Sequence, residues 1–183
     1  MHTTNLIILD RDGVINFDSD NYIRKPEEWQ AIPGSLEAIA TLCEHNFSVA
    51  VCTNQSGLAR GFYTETVLSQ IHDKMLTAVR ELGGDIHRIS HCPHLPADKC
   101  LCRKPAPGML LDTLRHFNTA ACEAIFVGDS LRDIQAGLAA NIEPVLVLTG
   151  NGALAKPGVD ALGRIPCFSD LAAFTTHLIE GVR

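Results

Sequence analysis

Short apolar runs of strand length recur along the chain at residues 6–9, 48–52, 124–127 and 145–148, with a weaker one at 86–90. Each is a continuous block bounded by polar or turn residues, the pattern of a strand buried on both faces. Between these blocks the apolar period changes. Leu36, Ile39, Ala40 and Cys43 fall at helical spacing, as do Leu68, Ile71, Met75, Val79 and Leu82, and again Leu131, Ile134 and Leu138. The punctuation agrees: Pro33-Gly34-Ser35 precedes the first helix, Thr64 is placed to cap the second, Gly83-Gly84 ends it, and Pro105-Ala106-Pro107-Gly108 introduces another. Strands alternating with amphipathic helices predict an α/β fold of three layers, in which right-handed crossovers cover both faces of a parallel sheet. In such folds ligands bind beyond the carboxyl ends of the strands. Two stretches lack periodicity, residues 16–32 and 91–104, and both are long enough for function to be expected of them.

Length and composition narrow the classes. At 183 residues one domain spanning 1–183 is expected, with no internal repeat or linker. Hydrophobic residues at 46% and charged residues at 20% describe a folded globular chain, neither disordered nor fibrous. A net charge of -6 speaks against a nucleic-acid binder, which needs Lys and Arg in excess, and favours a small-molecule partner. No apolar run approaches the roughly 20 residues that cross a bilayer. Met1-His2-Thr3-Thr4-Asn5 has no basic segment followed by an apolar one. A cytoplasmic monomer without membrane association is expected. Of seven cysteines, Cys92, Cys100 and Cys102 crowd together, which points to metal ligation in a reducing compartment rather than to a disulfide framework. Cys43, Cys52, Cys122 and Cys167 stand apart and read as small hydrophobes.

Candidate chemistry sits where the strands end. The first strand runs directly into Asp10-Arg11-Asp12-Gly13, two carboxylates two residues apart, and Gly13 permits a tight backbone departure. Asp10 at the tip is placed to attack phosphorus, and Asp12 to protonate a leaving oxygen and then deprotonate a water. An isolated motif of this kind reads equally as a solvated turn. The run at 124–127 repeats the device with Gly128-Asp129 and, one helical turn on, Asp133. Alone, Asp129 reads as an acidic helix cap; in a parallel sheet, however, the acidic tips converge. A carboxylate facing a phosphate dianion needs a cation between them, and oxygen-only ligands select magnesium. Asp10, Asp129 and a backbone carbonyl near Asp12 would hold it. Thr53-Asn54-Gln55-Ser56 at the end of the second strand offers a hydroxyl and amides to phosphate oxygens. Lys104 is placed to neutralise the nucleophile and the transferring group.

Together, Asp10-Arg11-Asp12-Gly13, Thr53-Asn54, Lys104 and Gly128-Asp129 through Asp133 resemble the haloacid dehalogenase superfamily of phosphatases, over nearly the whole chain. The resemblance implies a Rossmann-like sheet, a phosphoaspartate at Asp10, acid–base work at Asp12, phosphate contacts from Thr53 and Lys104, and Mg²⁺ on Asp10, Asp12 and Asp129. Many members of that superfamily carry a separate cap domain, for which 183 residues leave no room, so the two irregular loops are expected to shape the pocket.

The second loop carries its own signal. Cys92-Pro93-His94 and Cys100-Leu101-Cys102 offer three thiolates and an imidazole within eleven residues, a tetrahedral donor set suited to Zn²⁺. With no position left for water, a closed structural site is expected. His91 lies outside this pattern, and the other histidines, His72 among them, carry no assignment. Because Arg103 and Lys104 follow Cys102 at once, a fixed zinc loop would also fix both cations over the phosphate. The arrangement is similar to a narrower group sharing the zinc loop, the heptose bisphosphate phosphatases and the histidinol-phosphate phosphatases. Thr53 through Gly61, and Cys102-Arg103-Lys104-Pro105 with Pro107-Gly108-Met109, look more like the former. That resemblance implies sugar contacts from Asp18, Ser19, Asp20, Asn21, Thr53, Asn54, Gln55 and Ser56, recognition by Arg103 beside Lys104, and removal of the C7 phosphate. The readings left open are a histidinol-phosphate phosphatase and, in another class, a non-catalytic zinc-stabilised binding module.

Overall fold

The computed structural model describes residues 5–181, so Met1-His2-Thr3-Thr4 of the N-terminal stretch considered above lies outside the described residues. Six parallel strands form one sheet: β1 (Leu6–Leu9), β2 (Ser48–Asn54), β3 (Arg88–Cys92), β4 (Ala124–Gly128), β5 (Glu143–Val147) and β6 (Cys167–Phe168). They are crossed by α1 (Ser35–Glu44), α2 (Glu65–Glu81), α3 (Gly108–Phe117), α4 (Leu131–Ala139), α5 (Gly152–Asp160) and α6 (Leu171–Gly181).

Strand alternation sorts the core into two layers. Ile7, Leu9, Val49, Val51, Ile125, Val127, Val145 and Val147 face one side, where Ile39 and Leu42 of α1, Ile71, Met75 and Val79 of α2, and Leu171 and Phe174 of α6 cover them. Leu6, Ile8, Ala50, Cys52, Ala124 and Phe126 face the other, against Met109, Leu110 and Leu114 of α3 and Ala136 of α4. Burial on both faces is why the strands read as unbroken apolar blocks. Side order is β3-β2-β1-β4-β5-β6, so the chain reverses direction of growth between β1 and β4. Their carboxyl ends flank the crevice where ligands bind in open parallel sheets.

The expected strand bounds shift in four places: β2 runs on to Asn54 and β4 to Gly128, and β3 and β5 move further. β3 begins and ends two residues later than expected, because Ile86 is drawn into the core and the ladder continues until Asn54 pairs with Cys92. β5 begins at Glu143 and takes in Pro144, which has no N–H to donate. That position, like Leu146 two residues on, faces the β6 side, and β6 reaches only Leu146 and Val147, so no ladder bond is lost. The pattern missed β6, α5 and α6. β6 has two residues and α5 contains Gly152, Pro157 and Gly158, whereas α6 carries Leu171, Phe174, Leu178 and Ile179 at a helical spacing that was there to be read.

Thr64 caps α2 as expected, accepting from the Val67 N–H at 3.3 Å. The 16–32 stretch is no loose loop. Phe17 N donates to Gln30 O at 3.0 Å and Ile32 N to Ile15 O at 2.9 Å, while Ile23, Trp29 and Ile32 are buried. Lys74 of α2 pins it from outside through Pro26 O at 2.7 Å and Trp29 O at 3.0 Å. Among the described residues no helix is long and apolar enough to cross a membrane.

Candidate active site

Asp10 continues the β1 ladder by one bond, its N–H donating to Val127 O at 2.9 Å, so its carboxylate emerges directly over the sheet edge. One oxygen accepts from the Arg11 N–H at 2.7 Å; the other lies 2.7 Å from Lys104 Nζ. The same Nζ is 2.7 Å from Asp133 Oδ1, and the ammonium rests 5.4 Å over the Phe126 ring. Lys104 is 2% exposed. Two carboxylates thus pair with an ammonium that carries three protons, which leaves one for a third acceptor. Burial disfavours the Lys104 charge, yet Asp10 and Asp133 outweigh it and hold its pKa above the usual lysine value.

Asp133 is itself fixed by the start of α4: its Oδ2 accepts from Ser130 N at 3.0 Å and from the Ser130 hydroxyl. Asp129 Oδ2 accepts from Asn151 N at 2.8 Å. Burial, with Asp133 nearby, pushes the Asp129 carboxyl up to about 7, against the pull of the Asn151 N–H and Lys104. Burial also raises Asp10, with Lys104 opposing and Asp133 and Asp129 adding to the rise. Carboxylate oxygens of Asp10, Asp129 and Asp133 lie within 4.8 Å of one another. Three carboxylates facing one ammonium leave two negative charges uncompensated. Gly13 closes this corner: its φ is +78°, and a Cβ there would collide with the Asp129 carboxylate.

Asp12 turns the other way. Arg11 grips it in a fork, Nε to Oδ1 at 3.0 Å and Nη2 to Oδ1 and Oδ2 at 2.8 and 3.0 Å. Asn16 Nδ2 and Gln55 Nε2 add bonds of 2.9 Å each. Burial raises the Asp12 carboxyl, but Arg11, Asn16 and Gln55 together bring it below the ordinary value, so it rests as a carboxylate. Its side chain therefore stands outside the Asp10–Asp129–Asp133 group, and only its backbone carbonyl is available to join it.

The end of β2 is a positioning device. Gln55 Nε2 also donates to Thr53 Oγ1 at 2.9 Å, and Tyr63 OH donates to Gln55 Oε1 at 2.6 Å. With one of its lone pairs engaged by Gln55, the Thr53 hydroxyl can direct its proton into the cleft. Asn54 commits its amide to the Lys104 backbone.

These groups line one cleft of about 330 Å³, and it takes in Asp10, Asp12, Thr53, Asn54, Gln55, Ser56, Arg103, Lys104, Asp129, Asp18 and Ser19. Of the remaining expected contacts, Asn21 lines an adjoining hollow with Phe17 and Arg24, and Asp20 lines neither. Asp133, Arg60, Arg132 and Asn151 line the cleft without having been singled out as site residues. For Asp133 the signal was its place one helical turn after Asp129; for Asn151 there was none in the sequence.

Beside the cleft the three thiols and the imidazole converge. Sγ of Cys92 lies 3.6 Å from that of Cys100 and 3.3 Å from that of Cys102. The Cys100–Cys102 pair is 3.4 Å apart, and His94 Nδ1 is 3.5 and 3.3 Å from Cys92 and Cys102. A tetrahedral site with bonds of about 2.3 Å has edges of about 3.8 Å, close to these separations. His91 points away, its Nε2 3.2 Å from the Glu65 carboxylate. Arg103 Nη1 donates to His94 O at 3.1 Å, joining the cluster to the cleft.

A parallel sheet whose two central tips carry Asp10 and Asp129 around a buried lysine defines a hydrolase of the haloacid dehalogenase-like class, and a HAD-hydrolase-like family model matches residues 101–160. The D-glycero-beta-D-manno-heptose-1,7-bisphosphate 7-phosphatase of Bordetella bronchiseptica is 49% identical over 96% of this chain and 98% of its own length. That of Pseudomonas aeruginosa is 48% identical over 96% and 98%. The crystal structure of the B. bronchiseptica D,D-heptose 1,7-bisphosphate phosphatase, complexed with magnesium and phosphate, superposes with a TM-score of 0.91 at 46% identity, covering 97% of this chain and 99% of that one. The chain belongs to this family of haloacid dehalogenase-like heptose bisphosphate phosphatases.

Proposed function

We propose that the protein hydrolyses the C7 phosphate of D-glycero-D-manno-heptose 1,7-bisphosphate, giving heptose 1-phosphate for nucleotide-activated heptose synthesis. Identity of 49% to an enzyme of that name, over 96% of this chain and 98% of that enzyme's length, carries the reading.

Asp10 is the nucleophile. Asp12, which rests as a carboxylate, first takes up a proton from solvent; the Asp10 oxygen then bonds to phosphorus as the bond to the C7 oxygen breaks, and the departing oxygen takes that proton. A water then gives its proton to the Asp12 carboxylate and attacks the phosphoaspartate, releasing phosphate and restoring Asp10. The Thr53 hydroxyl and the Lys104 ammonium hold non-bridging oxygens throughout.

The residues fit Mg²⁺. The donors are oxygens only, and the two uncompensated negative charges match a divalent ion. Asp10, Asp129 and the Asp12 backbone carbonyl would hold it. Bound there, it would offset repulsion between phosphate and carboxylates. Cys92, His94, Cys100 and Cys102 would hold Zn²⁺ in a closed site that stiffens the segment bearing Arg103 and Lys104.

The cleft lies open between the 16–32 segment and the zinc loop, which suits a primary phosphate entering end-on. Asp18, Ser19, Ser56 and Arg103 are placed to meet the sugar and its anomeric phosphate, orienting the reacting end. A single-domain cytoplasmic monomer acting on a small sugar phosphate completes the reading; all seven cysteines are unpaired. ³¹P NMR of the bisphosphate with the enzyme tests it. The C7 signal is expected to disappear first; earlier loss of the anomeric signal, or a higher kcat/KM for histidinol phosphate, overturns the assignment.

A further inference from the structure

Arg11 is the largest fully buried side chain among the described residues, 1% exposed, although it stands between the two carboxylates of the cleft. Its Nε and Nη2 are committed to Asp12. Nη1 reaches away from the cleft to α2, where it lies 3.3 Å from Nε2 of His72. A guanidinium only donates, so Nε2 is the acceptor and carries no proton. Among the described residues Nη1 has no other hydrogen-bond partner. His72 is buried too, and its neighbour His91 is turned toward Glu65, leaving Nε2 to Arg11 alone.

We propose that His72 is a positioning residue for the acid–base carboxylate: it anchors the Arg11 guanidinium, which holds Asp12 in place beside Asp10. The proposal rests on the acid–base role given to Asp12 above. Arg11 supplies three of the five hydrogen bonds that Asp12 accepts from side chains. The other two donors are restrained from within the cleft's own segments, Asn16 by Phe17 O and Gln55 by Tyr63 and Thr53. Only the Arg11 fork depends directly on α2, an element that puts no residue of its own in the cleft. Without the His72 acceptor the guanidinium is free to rotate toward another partner, and the bidentate fit is lost.

Turnover of the heptose bisphosphate by His72→Leu, His72→Gln and Asp12→Asn tests this. Misplacing a catalytic group by about 1 Å costs about 10²-fold, so His72→Leu is expected to lose about tenfold to a hundredfold in kcat with KM little changed. His72→Gln, which keeps an acceptor, is expected to recover most of it. Equal losses in both variants mean a packing role and overturn the proposal. Normal kcat in His72→Leu beside inactive Asp12→Asn overturns it while sparing Asp12; near-normal kcat in Asp12→Asn overturns both. If His72→Leu fails to fold, ¹⁵N NMR of the wild-type imidazole decides: an unprotonated Nε2 at neutral pH supports the anchor, and a protonated one refutes it.

Discussion

Asn54 and the backbone of Lys104 are joined by a reciprocal pair: Asn54 Nδ2 donates to Lys104 O at 3.1 Å, and Lys104 N donates to Asn54 Oδ1 at 3.1 Å. Through it the tip of β2 fixes the origin of a side chain whose ammonium must meet Asp10, Asp133 and the incoming phosphoryl group. Asn54→Ala should therefore act on Lys104 from a distance. Kinetics should show kcat lower by about 10²-fold, the cost of a displacement of about 1 Å. Unfolding should show a loss of about 1–3 kcal/mol for the unpaired backbone groups. Unchanged kcat would mean that Lys104 is held by its ion pairs alone.

Covalent catalysis makes a prediction of its own. Asp10→Asn should be inactive yet folded, and beryllium fluoride should label wild-type protein at Asp10; a label elsewhere would remove Asp10 as nucleophile. Asp12→Asn should lose roughly 10²–10⁴-fold in rate, the usual span for a general acid or base.

The two metal sites differ in donor chemistry, oxygen against sulfur and nitrogen, and should separate on chelation. Protein purified without chelator should contain about one zinc by elemental analysis. Brief EDTA should stop turnover reversibly, with Mg²⁺ restoring it, while zinc stays bound. Removing zinc should lower both Tm and kcat, because the Arg103–His94 and Lys104–Asn54 contacts depend on the loop. Zinc-free protein of unchanged Tm would contradict a structural site.

Stability should carry the mark of His72. Burial pushes its imidazole down to about 3, with Arg11 and His91 adding and Asp12 opposing. In the unfolded chain it takes its proton near 6.5. Between these values the unfolded state binds the extra proton, so stability falls as pH drops from about 6.5 toward 3, by at most about 1.4 kcal/mol per unit. Denaturant titrations of wild type and His72→Gln should diverge in slope across that window and run parallel above pH 7. Parallel curves throughout would show a histidine that titrates normally in the fold.

The sequence alone carried the fold class, the Asp10-Arg11-Asp12-Gly13, Thr53-Asn54, Lys104 and Asp129 segments, and the likeness to the heptose bisphosphate phosphatases. Each of these is local: a buried parallel strand writes itself as an apolar block, and a group that must stand at its tip follows directly in the chain. The structure bears out the fold and the relatives bear out the family. What tertiary structure decided is which groups face one another. Asp12 belongs to Arg11 and Gln55 while Asp133 belongs to Lys104, and no spacing along the chain distinguishes the two carboxylates in this respect. Asn151 reaches Asp129 from 22 positions away, and His72 reaches Arg11 from 61. Contacts of that range depend on how the crossovers stack α2 and the β5 tip against β1, a matter of packing over the whole sheet, and local pattern carries no record of it.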